Sequence, residues 1–94
     1  MEFDWDEANL SKNLRHGVHD WEIEAAILDP RSFVESTVTV GGEERHILFG
    51  RGASSGKYLR VVYTARMVAG RLAIRPISAV EMSKENKRRY RRGR

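Results

Sequence analysis

The chain has 94 residues, no cysteine and a formal net charge of +4, which leaves room for one domain over 1–94 and excludes a disulfide framework or a thiolate zinc site. At 40% hydrophobic and 32% charged it reads as folded, with a thin core that buries about 65% of the unfolded surface. Its charge is divided: residues 1–44 carry Lys12, Arg15 and Arg31 against eleven Asp or Glu (−8), and residues 45–94 carry fourteen Lys or Arg against Glu81 and Glu85 (+12).

The first ten residues, MEFDWDEANL, are acidic and lack an apolar run, so a secretory signal is not expected. Nor does any apolar run approach the roughly 20 residues that span a bilayer, and together with the missing cysteine this points to a cytoplasmic protein. Residues 2–5 suit a short strand. Asp6 is placed to cap a helix, with Leu10 and Leu14 on one face and Gly17 as its stop. Asp20 suits the cap of a second helix, whose buried side would be Trp21, Ala25 and Leu28, helped by Ile27, and which Pro30 would end. Trp5, Trp21 and Tyr63 are assigned to the core.

After Pro30 the period changes to two. Val34, Val38 and Val40 alternate with Thr37 and Thr39, and Gly41-Gly42 reads as a tight hairpin turn. Residues 44–50 form the returning strand, and Gly52-Ala-Ser-Ser-Gly56 a polar loop. Residues 58–66 and 71–78 make two further strands, with Gly70 in the turn between them. Pro76 has no amide hydrogen, so an edge or strand end is expected there. Ser83 suits the cap of a last helix from Lys84. Residues 84–94 carry seven basic side chains against one Glu, and like charges three and four apart repel on a helix, so only partial order is expected without an anion.

Ordered segments along nearly the whole chain resemble one family. They are Phe3-Asp4-Trp5-Asp6, Asn13, His16-Gly17-Val18, Glu44-Arg45, Gly50, Val61-Val62-Tyr63-Thr64-Ala65-Arg66, Arg75, Ile77-Ser78-Ala79 and Arg88-Arg89-Tyr90. In this order they resemble the BrnT toxins, ribonucleases of type II toxin–antitoxin systems. The chain departs from that pattern at Arg15, where a lysine is usual, and at Val80, where an arginine is expected. The resemblance implies a RelE-like α+β fold, with two helices on one side of a four-stranded antiparallel sheet and a basic C-terminal helix. It also implies RNA cleavage with no metal or other cofactor. Its implied partner is a BrnA-like antitoxin with a ribbon-helix-helix DNA-binding domain, through which DNA is met only indirectly, and no membrane is involved.

Cleaving RNA without a metal requires a base for the ribose 2′-OH, cations for the charge at phosphorus and an acid for the leaving 5′ oxygen. The three histidines are scattered and no metal-ligand spacing occurs, so arginine must supply the cations; its planar fork holds two phosphate oxygens at once. Arg45, Arg66 and Arg75 are the first candidates. Each reads equally as a rim charge paired with Glu43, Glu44 or Glu81. His46 and His16 are candidates for moving protons. Strand alternation points Arg45 and His46 to opposite faces, and His16 also suits a helix C-terminus. Tyr90, among Lys87, Arg88, Arg89 and Arg91, either stacks an unpaired base or folds back to anchor the last helix. The tail cations bind RNA, solubilise the chain or meet an acidic antitoxin. The rival expectation is a non-catalytic module that holds RNA or a partner without cutting, including a degenerate toxin that only binds its antitoxin.

Overall fold

β-Branched runs separated by glycine turns dominate the computed structural model, which describes residues 1–93. Strands β2 (Phe33–Val40), β3 (Glu43–Arg51), β4 (Tyr58–Val68) and β5 (Arg71–Glu81) form the expected antiparallel meander. The four-stranded expectation needs correction. A short β1 (Glu2–Phe3) pairs in parallel with β5, Glu2 opposite Ala73 and Phe3 opposite Ile74, so the sheet is five-stranded and mixed, in the order β1-β5-β4-β3-β2. The meander leaves one side of β5 bare, and β1 supplies its missing ladder.

Beyond Ile74, side chains continue that cover. Asn9 Nδ2 donates to the carbonyls of Asp4 (3.1 Å) and Pro76 (2.9 Å), and Asn13 Oδ1 accepts from the Ala79 amide at 3.0 Å. Lys12 Nζ donates to the Ile77 carbonyl. Pro76 therefore lies inside β5 and not at its end, on the stretch that β1 does not reach and beside a register shift opposite Val62 and Tyr63. The first helix differs for the same reason. Only a 3₁₀ turn, Lys12–His16, forms after Ser11 adopts a left-handed φ of 56°. Leu10 and Leu14 are exposed, while Asn9 and Asn13, one position earlier in the same four-residue spacing, are buried against β5. Satisfying buried backbone groups outweighs the apolar pair.

Helix α1 (Asp20–Ile27) starts one residue earlier than expected, with His19 as its cap and the Glu22 carboxylate accepting from the His19 amide. Its buried side is Ile23, Ala26 and Ile27; Trp21 and Leu28 are 53% and 57% exposed, which corrects their assignment to the core. Gly50 explains the rotation. A Cβ there would lie 2.1 Å from the Ala26 carbonyl oxygen, so the bare strand backbone seats Ala26 and turns Trp21 outward.

Two cores form on opposite faces. Ile23, Ala26 and Ile27 of α1 pack with Leu48, Leu59, Val61, Ile74 and Ala79 on one face. Ile47, Phe49, Met82 and Tyr90 pack on the other, beneath α2 (Lys84–Arg92). Strand alternation separates Leu48 from Ile47 and Phe49, so α1 and the basic C-terminal helix α2 lie on opposite faces of the sheet. Of the two N-terminal helices expected on one side, only α1 forms as an α-helix. The basic tail is helical to Arg92. Ser83 Oγ accepts from the Asn86 amide, and the buried Tyr90 anchors the helix despite the like charges along it. The final tail residue, Arg94, lies outside the described residues.

Candidate nucleic-acid interface

Residues opposite one another in a ladder share a face, and alternate residues of a strand do too. Ile47 is opposite Val62, Thr64 is opposite Arg75, and Arg66 is opposite Ala73. Two-residue steps from Ile47 to Arg45, and from Val62 through Thr64 to Arg66, then place Arg45, Arg66 and Arg75 on one face. It is the face that carries α2. The three arginines come from adjacent strands and lie beyond the helix, toward the two hairpin turns.

Each is held by a carboxylate. Arg75 grips Asp6 with two contacts, Nη1–Oδ2 at 2.6 Å and Nη2–Oδ1 at 3.2 Å. Arg66 donates from Nε and Nη2 to one oxygen of Asp4. Arg45 Nε donates to Glu43 at 3.1 Å. Glu43 is the rim partner expected for Arg45; Asp4 and Asp6 reach the other two only because β1 docks beside β5. Arg75 keeps the Asp6 carboxyl below its ordinary range, and Asp6 in turn raises the Arg75 guanidinium. Thr64, opposite Arg75, is 3% exposed, and its hydroxyl has no hydrogen-bond partner among the described residues.

Neither histidine joins this row. His46 follows Arg45 with continuous register, so it faces the α1 side. There it shares a 2.9 Å hydrogen bond with Thr37 Oγ1, and its ring centroid lies 5.2 Å from that of Tyr63. His16 ends the 3₁₀ turn, and its Nδ1 lies 3.2 Å from the Ala79 carbonyl oxygen at the β5 edge, so it covers a strand carbonyl and does not cap its own turn.

Tyr90 requires a correction. It is 5% exposed, and its hydroxyl donates to Asp29 Oδ2 at 2.5 Å. Burial, followed by that carboxylate, pushes the Tyr90 phenol up to about 12. A ring so enclosed anchors α2 and has no free face for a base. Arg89 is tied to Glu35 at 2.9 Å, and its guanidinium lies 5.4 Å from the centre of the Phe49 ring. Arg88 is exposed on the outside of α2. Lys87 and Arg91 gather instead over Tyr58, 5.6 and 5.1 Å from its ring centre.

Tyr58, with three cations around its ring, is a residue that sequence reasoning did not single out. The signal was in β4, where Tyr58, Arg60, Val62, Thr64 and Arg66 alternate on a single face. Among the described residues no group of three or more His, Asp or Glu is arranged to hold a metal, and no helix is long and apolar enough to cross a membrane.

A family model described as the ribonuclease toxin, BrnT, of a type II toxin–antitoxin system matches residues 5–86. No curated protein matches the chain.

Proposed function

Because the chain belongs to the BrnT family of ribonuclease toxins of type II toxin–antitoxin systems, we propose that it cleaves RNA without a metal on the open half of the α2 face. One observation carries this reading. Arg45, Arg66 and Arg75 share that face, and each is held by a carboxylate whose place a phosphate can take. The ribose 2′ oxygen attacks the adjacent phosphorus, the bond to the 5′ oxygen breaks, and the products are a 2′,3′-cyclic phosphate and a free 5′-OH. The guanidiniums neutralise the charge that builds on the phosphoryl oxygens.

Glu43 is the carboxylate we assign to accept the 2′-OH proton. It pairs with Arg45, and its charge also acts on Arg75. Solvent returns a proton to the 5′ oxygen. His46 and His16 are left out of the reaction, since one faces α1 and the other is tied to the Ala79 carbonyl at the β5 edge. In this reading the meander with its flanking helices is a RelE-like scaffold in a cytoplasmic protein. A BrnA-like ribbon-helix-helix antitoxin neutralises the chain and supplies the contact with DNA.

Cleavage of a defined RNA in the presence of a chelator, with analysis of the product ends, tests the proposal. Cyclic phosphate and 5′-OH ends are expected, with Glu43→Gln slower than wild type. Loss of activity on chelation overturns it. The separation of both histidines from the arginines favours one second reading, a module that binds RNA without cutting; it predicts a salt-sensitive shift of RNA that stays intact.

A further inference from the structure

At the other end of the same face, the start of β4 meets α2 and the loop after α1. A cavity of about 270 Å³ opens there, lined by Asp29, Arg31, Arg51, Tyr58, Tyr90 and Arg91. That is a little below the roughly 300 Å³ at which sites for drug-sized ligands begin, and it suits a group no larger than a nucleotide.

Its charge is unusual. Arg51 lies 4.8 Å from the Tyr58 ring centre and Arg91 5.1 Å, with Lys87 at 5.6 Å; Arg31 lies 5.8 Å from the centre of Tyr90. Among the described residues none of these cations makes a salt bridge, although Arg45, Arg66, Arg71, Arg75, Arg89 and Lys57 all do. Asp29 is the one carboxylate in the lining, and its oxygens are already taken. Oδ2 accepts from the Tyr90 hydroxyl and the Arg51 amide, and Oδ1 from the Arg31 amide. The carboxylate thus fixes the wall of the pocket; its charge acts on Arg31, and Arg51 Nε donates to the Gly56 carbonyl at 3.1 Å, but no guanidinium of the lining has a carboxylate in its fork. Four cations held this close on aromatic rings repel one another, and a bound anion relieves that repulsion. The Tyr58 phenol reports the same field: Arg91 above all, with Arg51 and Lys87, holds it below the ordinary tyrosine range against the opposing effect of burial.

We propose that this pocket binds a phosphate of single-stranded RNA, with Arg31, Arg51 and Arg91 taking its oxygens. It is a second anchor for a strand whose scissile phosphate lies on the Arg45–Arg75 row. Tyr58 and Thr64 are six positions apart on β4, about 20 Å of strand, and both lie on the α2 face. A strand laid along β4 meets both anchors and gains from their linkage. The assignment rests on RNA being the substrate, as proposed above, but not on cleavage taking place.

The test is fluorescence anisotropy with a single-stranded 2′-O-methyl decaribonucleotide, which has no free 2′-OH and cannot be cut by the proposed reaction. Binding therefore reads out the pocket even if the chain proves not to cleave. Arg51→Gln combined with Arg91→Gln alters two exposed side chains and is expected to weaken binding on the order of tenfold or more. The salt slope should fall by about 0.7 for each cation lost. Oligonucleotide binding should also return the Tyr58 phenol toward its ordinary pKa, read by phenolate absorbance against Tyr58→Phe. Unchanged affinity and slope in the double variant overturn the proposal. So does a hexaglutamate peptide whose binding the double variant abolishes while RNA binding stays intact, because the pocket then belongs to an acidic protein partner.

Discussion

Arg75 and Asp6, 69 residues apart, are joined by two parallel contacts of 2.6 and 3.2 Å on the face that carries α2. A carboxylate held in an arginine fork has the shape and charge of a bound phosphate. The acidic start of the chain thus lies over part of the basic C-terminal half, and Asp4 and Asp6 occupy guanidiniums proposed to hold the RNA phosphate.

Releasing those guanidiniums should favour RNA. Asp4→Asn with Asp6→Asn removes two negative charges beside Arg66 and Arg75 and is expected to tighten binding of the uncleavable oligonucleotide on the order of tenfold, with a steeper salt dependence. Weaker or unchanged binding in an anisotropy titration contradicts the competition.

The same pairing makes stability depend on acid. The folded state holds the Asp6 carboxyl below its ordinary range, chiefly through Arg75. Burial alone would raise Asp29, but the Tyr90 hydroxyl and the Arg51 and Arg31 amides outweigh it and leave that carboxyl lowered as well. Carboxyls with depressed folded pKa values stabilise fully above the unfolded value near 4 and lose that contribution as pH falls through the folded values. Thermal melts should therefore drop steeply below about pH 4, and Asp29→Asn should flatten the drop; an identical acid profile in the variant contradicts it.

Tyr90 gives the opposite limb. Its phenol is raised to about 12, so the folded state keeps a proton that the unfolded chain loses near pH 10. Stability is then lost as pH rises from about 10 toward 12, and Tyr90→Phe removes that limb. The substitution also deletes a hydrogen bond to a carboxylate, at a cost of about 1.5–3 kcal/mol at neutral pH. Urea midpoints at neutral and alkaline pH separate the two effects, and an alkaline limb that persists in the variant counts against this origin.

Gly50→Ala should destabilise the fold by about 3 kcal/mol or more, because the added carbon would lie 2.1 Å from the Ala26 carbonyl oxygen and α1 must move away from β3. A midpoint close to wild type would show that Gly50 does not set the rotation of α1.

The strands of the meander were legible because each carries its own period and its turn glycines. The expected 44–50, 58–66 and 71–78 fall inside β3, β4 and β5, and Ser83 caps α2 as read. The opposition of Arg45 and His46 was equally legible, since parity along one strand decides it. The early helix was not. Leu10 and Leu14 have helical spacing, but Asn9 and Asn13 serve the bare edge of β5, more than 60 residues away, and local pattern carries no trace of that edge. The α1 face was misread because a glycine on another strand orients the helix. At the site, the common face of Arg45, Arg66 and Arg75 follows once the ladder register is known. Their acidic partners depend on β1 docking in parallel, and Tyr90 reads as a surface aromatic until Asp29 and the Ile47–Phe49 core are seen beneath it.

The most direct test is the rate of RNA cleavage by purified Arg45→Gln and Arg75→Gln, measured beside His46→Ala and His16→Ala, with folding checked by circular dichroism. If guanidiniums on the α2 face neutralise the phosphate, each arginine variant slows cleavage by about 10²–10³-fold, as loss of a transition-state donor does, and both histidine variants stay near wild type. Arginine variants that cut at the wild-type rate, or histidine variants that do not cut at all, contradict the account.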